Sequence, residues 1–170
     1  MTNSILITSF APWLPHHVSN ASDDLLVRFL AASETHWRTL RHLPVDHVLA
    51  PLKVIDAVDR FRPRVTVCCG MAEERTVLSA EAQAAMDGVV RRTDIDLTAL
   101  TAGLAVTEIS RDAGDFVCNT LYFRCLEHLQ KIGGDHHCLF LHVPVLTGEN
   151  APALLEDFRT IIGRLAAVRS

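Results

Sequence analysis

One cysteine of this sequence stands at a position suited to a thiol nucleophile. Cys118 falls in the first turn of a helix predicted over residues 116–132. The unpaired backbone N–H groups and the dipole of a helix start favour an anion there. Such a site can lower a thiol pKa from about 8.5 to roughly 3.5–7.5. The position therefore predicts a thiolate nucleophile; the alternative is that Cys118 points into the core, one turn before Leu121.

A histidine near the end of a predicted strand is the matching candidate for a base. His142 lies in the apolar segment 138–143. A neutral imidazole can take a proton from a thiol and pass it on. In α/β sheets, reactive groups gather at the carboxyl ends of strands and the amino ends of the helices that follow. Cys118 and His142 both fit this rule, although a lone histidine in an apolar strand is also typical of a hydrogen-bonded core residue.

Strand and helix patterns alternate along the chain and predict the fold class. Apolar runs indicate strands, and apolar residues spaced by three and four indicate helices. Residues 71–103 are polar and weakly periodic, and we expect them to be rich in loops. The alternation predicts an α/β protein, a three-layer α/β/α sandwich around a twisted, mostly parallel sheet. The predicted strands are 5–10, 38–43, 65–69, 105–109 and 138–143. One predicted helix begins near residue 22, a second ends near residue 61, and two more span residues 116–132 and 151–165.

Composition limits the class of protein. The 170 residues are 49% hydrophobic, which is enough for a core and excludes a disordered chain. A net charge of −4 argues against nucleic-acid binding, which requires a basic face. The apolar run at residues 5–7 is too short for a membrane span and lacks the flank of a signal peptide. We expect a soluble, cytoplasmic protein with one domain over residues 1–170 and no membrane or nucleic-acid partner.

The cysteine and histidine patterns give no metal site. Five cysteines with no C-x-x-C pair argue against a disulfide framework or a thiolate zinc site. The pairs His16-His17 and His136-His137 lie in predicted turn regions and are expected to be solvated. Adjacent histidines of an extended segment point to opposite sides, so they rarely share an ion. These patterns therefore predict no metal site.

Four short motifs resemble those of one enzyme family. Residues 112–119, DAGDFVCN, resemble the nucleophile stretch of pyroglutamyl peptidase I, and residues 140–146, FLHVPVL, resemble its histidine strand. Residues 8–13, TSFAPW, are similar to its amino-terminal turn, and residues 20–22, NAS, to the N-P-S that follows. The chain is therefore identified as a divergent member of the pyroglutamyl peptidase I family.

The resemblance implies a cysteine hydrolase that removes an amino-terminal pyroglutamyl residue from peptides. Cys118 would be the nucleophile, His142 the base, and no cofactor would be needed. Spacing from Gly70 puts the third member, a glutamate, at Glu81, although the residues around Glu81 differ from the family pattern. The competing acids are Glu73, Glu74 and Asp115.

The pocket that the resemblance implies departs from the family at one position. Phe10 and Trp13 keep the aromatic character of a wall that could stack on a lactam ring. Met71 replaces a glutamine and lacks its amide hydrogen bond, on which strong discrimination would depend. Two alternatives stay open: a cysteine amidase acting on a different small acyl or cyclic group, and a catalytically silent member that binds a ligand. The expected partner is a small peptide or acyl amide, and the resemblance suggests a homo-oligomer.

Overall fold

Strands and helices alternate through residues 5–167, the part of the chain that the computed structural model describes. The strands are β1 (Ile5–Phe10), β2 (Arg38–Leu43), β3 (Val65–Met71), β4 (Leu78–Glu81), β5 (Gln83–Met86), β6 (Val89–Arg92), β7 (Thr107–Ser110) and β8 (His137–Val143). The helices are α1 (Ala21–Ala31), α2 (Leu49–Phe61), α3 (Leu97–Thr101), α4 (Val117–Ile132) and α5 (Ala151–Ala167). None of the helices described is long and apolar enough to cross a membrane.

Six of these strands form one mostly parallel sheet in the order β2-β1-β3-β8-β4-β7. The pairs β2–β1, β1–β3 and β3–β8 are parallel. The strand β4 pairs antiparallel with β8 and parallel with β7. The strands β5 and β6 form a separate antiparallel hairpin. The carboxyl ends of β1, β3 and β8 therefore meet the start of β4 at one edge of the sheet.

Helices cover both faces of the sheet, which confirms the three-layer α/β/α prediction. The helices α1, α3 and α5 pack on one face, against alternate residues such as Val67 and Cys69 of β3. The helices α2 and α4 pack on the other, against Cys68 and Phe140. Because both faces are buried, β3 and β8 are apolar almost throughout, which is why their sequences show continuous runs rather than alternation.

The structure corrects the prediction for residues 71–103, which are not mainly loop. This stretch contains β4, β5, β6 and α3. Each is only 4 or 5 residues long, too short to show a period. The hairpin turn is Asp87-Gly88, and both residues have positive φ, 51° and 76°, which matches the Asp-Gly preference of two-residue hairpin turns. Two smaller corrections are that β3 runs past Gly70 to Met71, and that the strand expected at 105–109 is Thr107–Ser110.

Candidate active site

Cys118 lies at the open amino end of α4. The N-cap of this helix is Phe116, which has an extended conformation and whose side chain makes no capping hydrogen bond. The N–H groups of the first helical turn therefore remain available to an incoming oxygen. On its other side the Cys118 thiol lies against β3, where an ideal Cβ on Gly70 would be only 2.6 Å from Sγ. Gly70 is the register partner of His142, so the thiol sits beside the strand that carries the histidine.

His142 is paired with Glu81. The Nδ1 atom of His142 lies 2.7 Å from Oε1 of Glu81, and the two residues are 6% and 0% exposed. Glu81 lies opposite Phe140 across the antiparallel β4–β8 ladder, two residues from His142, so both side chains are on the same face of the sheet. Since Nδ1 is engaged by the carboxylate, Nε2 is the ring nitrogen left for proton transfer.

Tyr122 and Arg75 position Glu81 for its contact with His142. The Tyr122 hydroxyl of α4 donates to the Glu81 backbone carbonyl at 2.8 Å. The Arg75 guanidinium lies 3.7 Å from Oε1 and supplies a positive charge. Oε2 is buried and has no hydrogen-bond partner among the residues described. The carboxylate is thus directed at His142 through one oxygen, which fixes the orientation of the imidazole.

Arg75 also reaches the loop that precedes the nucleophile helix. It donates to the carbonyl of Asp112 at 2.8 Å and to Oγ of Ser110 at 3.4 Å. It therefore links Glu81 to the segment leading into Cys118. Arg75 was not among the residues predicted from the sequence, because two of its partners, Ser110 and Asp112, lie in a distant segment of the chain.

Asn119 is a second residue whose contribution was not predicted from the sequence. Its side-chain amide accepts from the backbone N–H of Ala85 at 3.0 Å and donates to the carbonyl of Ala85 at 2.7 Å. This pair of hydrogen bonds ties the first turn of α4 to β5. The asparagine that follows the cysteine in the family motif was the available signal.

Cys118 and His142 line one cleft of about 520 Å³. Trp13 and Met71 line the same cleft, and Phe10 lines a small cavity that Cys118 also lines. Met71 accepts the backbone N–H of Ala21 through its sulfur at 3.4 Å, so this side chain is fixed against α1. The residues predicted to bind substrate thus surround the thiol.

The competing acids lie in the cleft but do not bind His142. Glu73, Glu74 and Asp115 all line its wall. Glu73 is instead bound to His17, with Nε2 and Oε1 2.5 Å apart. Among the described residues, Glu81 is the carboxylate hydrogen-bonded to the His142 ring.

Comparison with solved structures identifies the fold. Pyroglutamyl peptidase I from Bacillus amyloliquefaciens superposes with a TM-score of 0.82 at 16% identity, covering 96% of this chain and 95% of that one. A mutant pyrrolidone carboxyl peptidase from Pyrococcus furiosus gives 0.77 at 16% identity, covering 94% and 96%. The enzyme from Thermococcus litoralis gives 0.76 at 18% identity, covering 98% and 96%. The chain has the pyroglutamyl peptidase fold. No family model and no curated protein sequence matches it.

Within this pyroglutamyl peptidase fold, the Cys118 thiol is more basic than the sequence indicated. Burial, with smaller contributions from the neighbouring Cys68 and Glu81, raises the pKa of Cys118 to about 12. The expectation of a depressed pKa at the helix start is therefore wrong for the free protein. The thiol is packed against Gly70 and the β3 backbone, so its lost hydration outweighs the helix terminus.

Three other thiols meet beneath α4. The Sγ atoms of Cys68, Cys125 and Cys138 lie within 4.8 Å of one another, and these residues are at most 2% exposed. They come from β3, α4 and β8, so their spacing in the sequence gave no sign of a cluster. They pack between the helix and the sheet as small apolar side chains.

A second large cavity lies away from this chemistry. It has a volume of about 470 Å³ and opens beside Val65 and His137, the first residues of β3 and β8. This is the edge of the sheet opposite to Cys118. Since its described lining contains no cysteine, hydroxyl nucleophile or triad member, the cleft around Cys118 is the better candidate for catalysis.

Proposed function

We propose that this protein is a cysteine exopeptidase that removes an amino-terminal pyroglutamyl (5-oxoprolyl) residue from peptides. The observation that carries the proposal is the buried pair of His142 and Glu81, 2.7 Å apart, in a cleft that Cys118 also lines. A nucleophile, a base and a residue that orients the base are the components of a catalytic triad. The fold shared with pyroglutamyl peptidases supports the choice of reaction.

The first step is attack by the thiol, which forms a tetrahedral intermediate that becomes a thioester when the C–N bond breaks. Nε2 of His142 removes the proton from the neutral Cys118 thiol as Sγ attacks the pyroglutamyl carbonyl carbon. The negative charge that develops on the carbonyl oxygen is stabilised by the free N–H groups at the start of α4. The Glu81 carboxylate stabilises the imidazolium that results. Because the pKa of the thiol is about 12, proton transfer accompanies attack rather than preceding it.

The second step releases both products. The imidazolium returns its proton to the leaving amine, the C–N bond breaks, and the shortened peptide departs. Nε2 of His142 then deprotonates a water molecule, which attacks the thioester carbonyl carbon. The C–S bond breaks, pyroglutamate leaves, and the proton returns to the Cys118 sulfur. The site ends in its starting state.

The cleft offers an apolar surface for a flat ring. Trp13 and Phe116 form an aromatic pair with centroids 4.9 Å apart at the cleft wall, and Phe10 lies behind them. Aromatic faces of this kind can stack on a planar lactam. Met71 adds an apolar contact in place of an amide, so we infer that recognition depends on shape more than on a hydrogen bond to the lactam.

Two observations favour other functions of the same cleft. Met71, together with the carboxylates of Glu73 and Glu74, favours a cysteine amidase whose substrate is a different small acyl group. The raised pKa of Cys118 favours a silent member that binds a ligand without hydrolysing it. Both alternatives give different results in the assay below.

The test is hydrolysis of a fluorogenic pyroglutamyl amide by wild type and by Cys118→Ser at equal folded concentration. Thr120→Ser, an equally small change on the same turn of α4, is the control. Activity in wild type and control that disappears in Cys118→Ser supports the proposal. Hydrolysis confined to other acyl amides, again lost in Cys118→Ser, would indicate the amidase. Absence of hydrolysis of the pyroglutamyl amide and of the other acyl amides would indicate the silent member.

A further inference from the structure

Two adjacent histidines share one side of a turn at the rim of the cleft. The backbone N–H of His17 donates to the carbonyl of Leu14 at 2.9 Å, which closes the turn. The rings of His16 and His17 consequently lie side by side, with centroids 4.4 Å apart. The expectation that these side chains point to opposite sides is wrong, because it applies to extended backbone and this segment is a turn.

A carboxylate completes the group. Glu73, from the loop after β3, has Oε1 2.5 Å from Nε2 of His17. His16, His17 and Glu73 each offer one ligand atom, and these atoms lie within 4.8 Å of one another. Two imidazoles and one carboxylate form a ligand set that Zn²⁺ binds in proteins, with a further position left for water or substrate.

The His17 ring has bonding capacity that the protein does not use. Its side chain is 8% exposed, and its Nδ1 atom is buried without a hydrogen-bond partner among the residues described. A buried polar atom without a partner is costly in free energy. Coordination of a metal ion through Nδ1 would give this atom a partner.

We propose that His16, His17 and Glu73 bind a divalent transition metal ion of the Zn²⁺ type. Glu73 lines the same cleft as Cys118, so the ion lies at the cleft rim and apart from the His142–Glu81 pair. Glu74 and Asp115 line that cleft too, and their negative charge favours a cation. A bound ion would join the turn that carries Trp13 to the loop after β3. The site is independent of the proposed peptidase activity.

The test is calorimetric titration with ZnCl2, which needs no substrate. All proteins carry Cys118→Ser, so that the cleft thiol cannot act as a ligand. His16→Ala and Glu73→Gln change exposed side chains of the site, and His136→Ala removes an imidazole elsewhere as the control. We expect one Zn²⁺ per chain in the parent and the control, and at least about tenfold weaker binding in each site variant. The melting temperature should rise with ZnCl2 in the same two proteins only.

Substitution of Co²⁺ identifies the ligand atoms. We expect absorption bands of a site with nitrogen and oxygen ligands, and no thiolate-to-metal charge-transfer band. Equal Zn²⁺ affinity in all four proteins, or a thiolate band, would indicate that the ion binds at the cluster of Cys68, Cys125 and Cys138. Either result would overturn the proposal. Absence of binding in the parent protein would overturn it as well. A far-ultraviolet circular dichroism spectrum of each variant checks that it is folded.

Discussion

Gly70 and Cys118 are in contact at the point where any other residue would carry its Cβ. An ideal Cβ on Gly70 would lie 2.6 Å from Cys118 Sγ and 2.8 Å from Cζ of Phe140. The φ angle of Gly70 is not positive, so the requirement is for space and not for conformational freedom. Because Gly70 is paired with His142 in the sheet, its missing side chain lets the thiol approach the strand of the base.

Gly70→Ala should lower kcat/KM strongly while the protein stays folded. The added methyl group must displace Sγ, because the Phe140 ring behind it is fully buried and cannot retreat. A displacement of about 1 Å at a reacting group can cost about 100-fold in rate. We expect kcat/KM for a pyroglutamyl amide to fall by about that factor, measured together with thermal unfolding.

Gly163→Ala is the matched control for that experiment. Gly163 lies inside α5, and nothing lies within 4 Å of its ideal Cβ. Alanine should therefore leave the activity unchanged and stabilise the helix by about 0.5–1 kcal/mol. Full activity in Gly70→Ala would show that the approach of the thiol does not depend on this glycine.

Glu81→Gln should reduce kcat by on the order of 10⁴-fold, as loss of the orienting carboxylate does in other triads. The amide keeps the size of the side chain but removes the charge that stabilises the imidazolium. Steady-state kinetics on a pyroglutamyl amide measure the effect. Glu108→Gln is the control, since Glu108 also accepts from Arg75 and Ser79 but lies outside the triad. A kcat near that of wild type would exclude Glu81 from catalysis.

Alkylation of Cys118 in the free protein should show no plateau below about pH 10. A thiol of pKa about 12 has a thiolate fraction of about 10⁻⁵ at pH 7, and this fraction rises tenfold per pH unit. The rate of reaction with iodoacetamide, followed by mass spectrometry, should rise in the same way. Cys118→Ser is the control for the four remaining cysteines, which are all buried. A plateau near neutral pH would restore the depressed pKa expected at a helix start.

Asp23 should make the stability depend on acid pH. Its burial raises the pKa, but hydrogen bonds from Arg41, Ser9 and His42 outweigh this and lower the pKa from 3.8 to about 2. Because the folded pKa is the lower one, the stabilisation is complete above about pH 4 and is lost as the pH falls through 2. We expect the free energy of unfolding to drop by about 1–2 kcal/mol over this range, allowing for solvent screening.

Urea denaturation between pH 4.5 and pH 2 measures this drop. Asp23→Asn should be less stable than wild type at pH 4.5 and should lack this part of the pH dependence. Asp56→Asn, at an exposed position of α2, should keep the wild-type profile. Parallel curves for wild type and Asp23→Asn would show that the network around Asp23 is not responsible.

The main framework of the fold could be predicted from the sequence because it rests on local patterns. The apolar runs of β3 and β8 and the four-residue spacing along α4 each lie within one segment, and they placed Cys118 and His142 correctly in the fold. By contrast, β4 has 4 residues and owes its position to pairing with β7 and β8. Such pairing joins distant parts of the chain, so Glu81 could be proposed only from the family spacing.

The other differences have the same origin. The helix start at Cys118 is a local feature and suggested a low pKa, whereas the burial that raises it comes from β3 and β8. The cluster of Cys68, Cys125 and Cys138 joins three separate elements. The sequence indicated a turn near His16 and His17, but the approach of both rings to Glu73 depends on a loop from a distant part of the chain.

The pairing of Glu81 with His142 across the β4–β8 ladder has a consequence for how such a site could be adjusted. Both residues belong to the central sheet, and Cys118 belongs to the helical layer above it. A substitution of a side chain packed between α4 and the sheet would change the distance from Cys118 Sγ to the His142 ring. The distance between Glu81 and His142 would stay the same. The distance between Cys118 and His142 and the basicity of the His142 ring can therefore change independently, and natural variation or design could adjust one without the other.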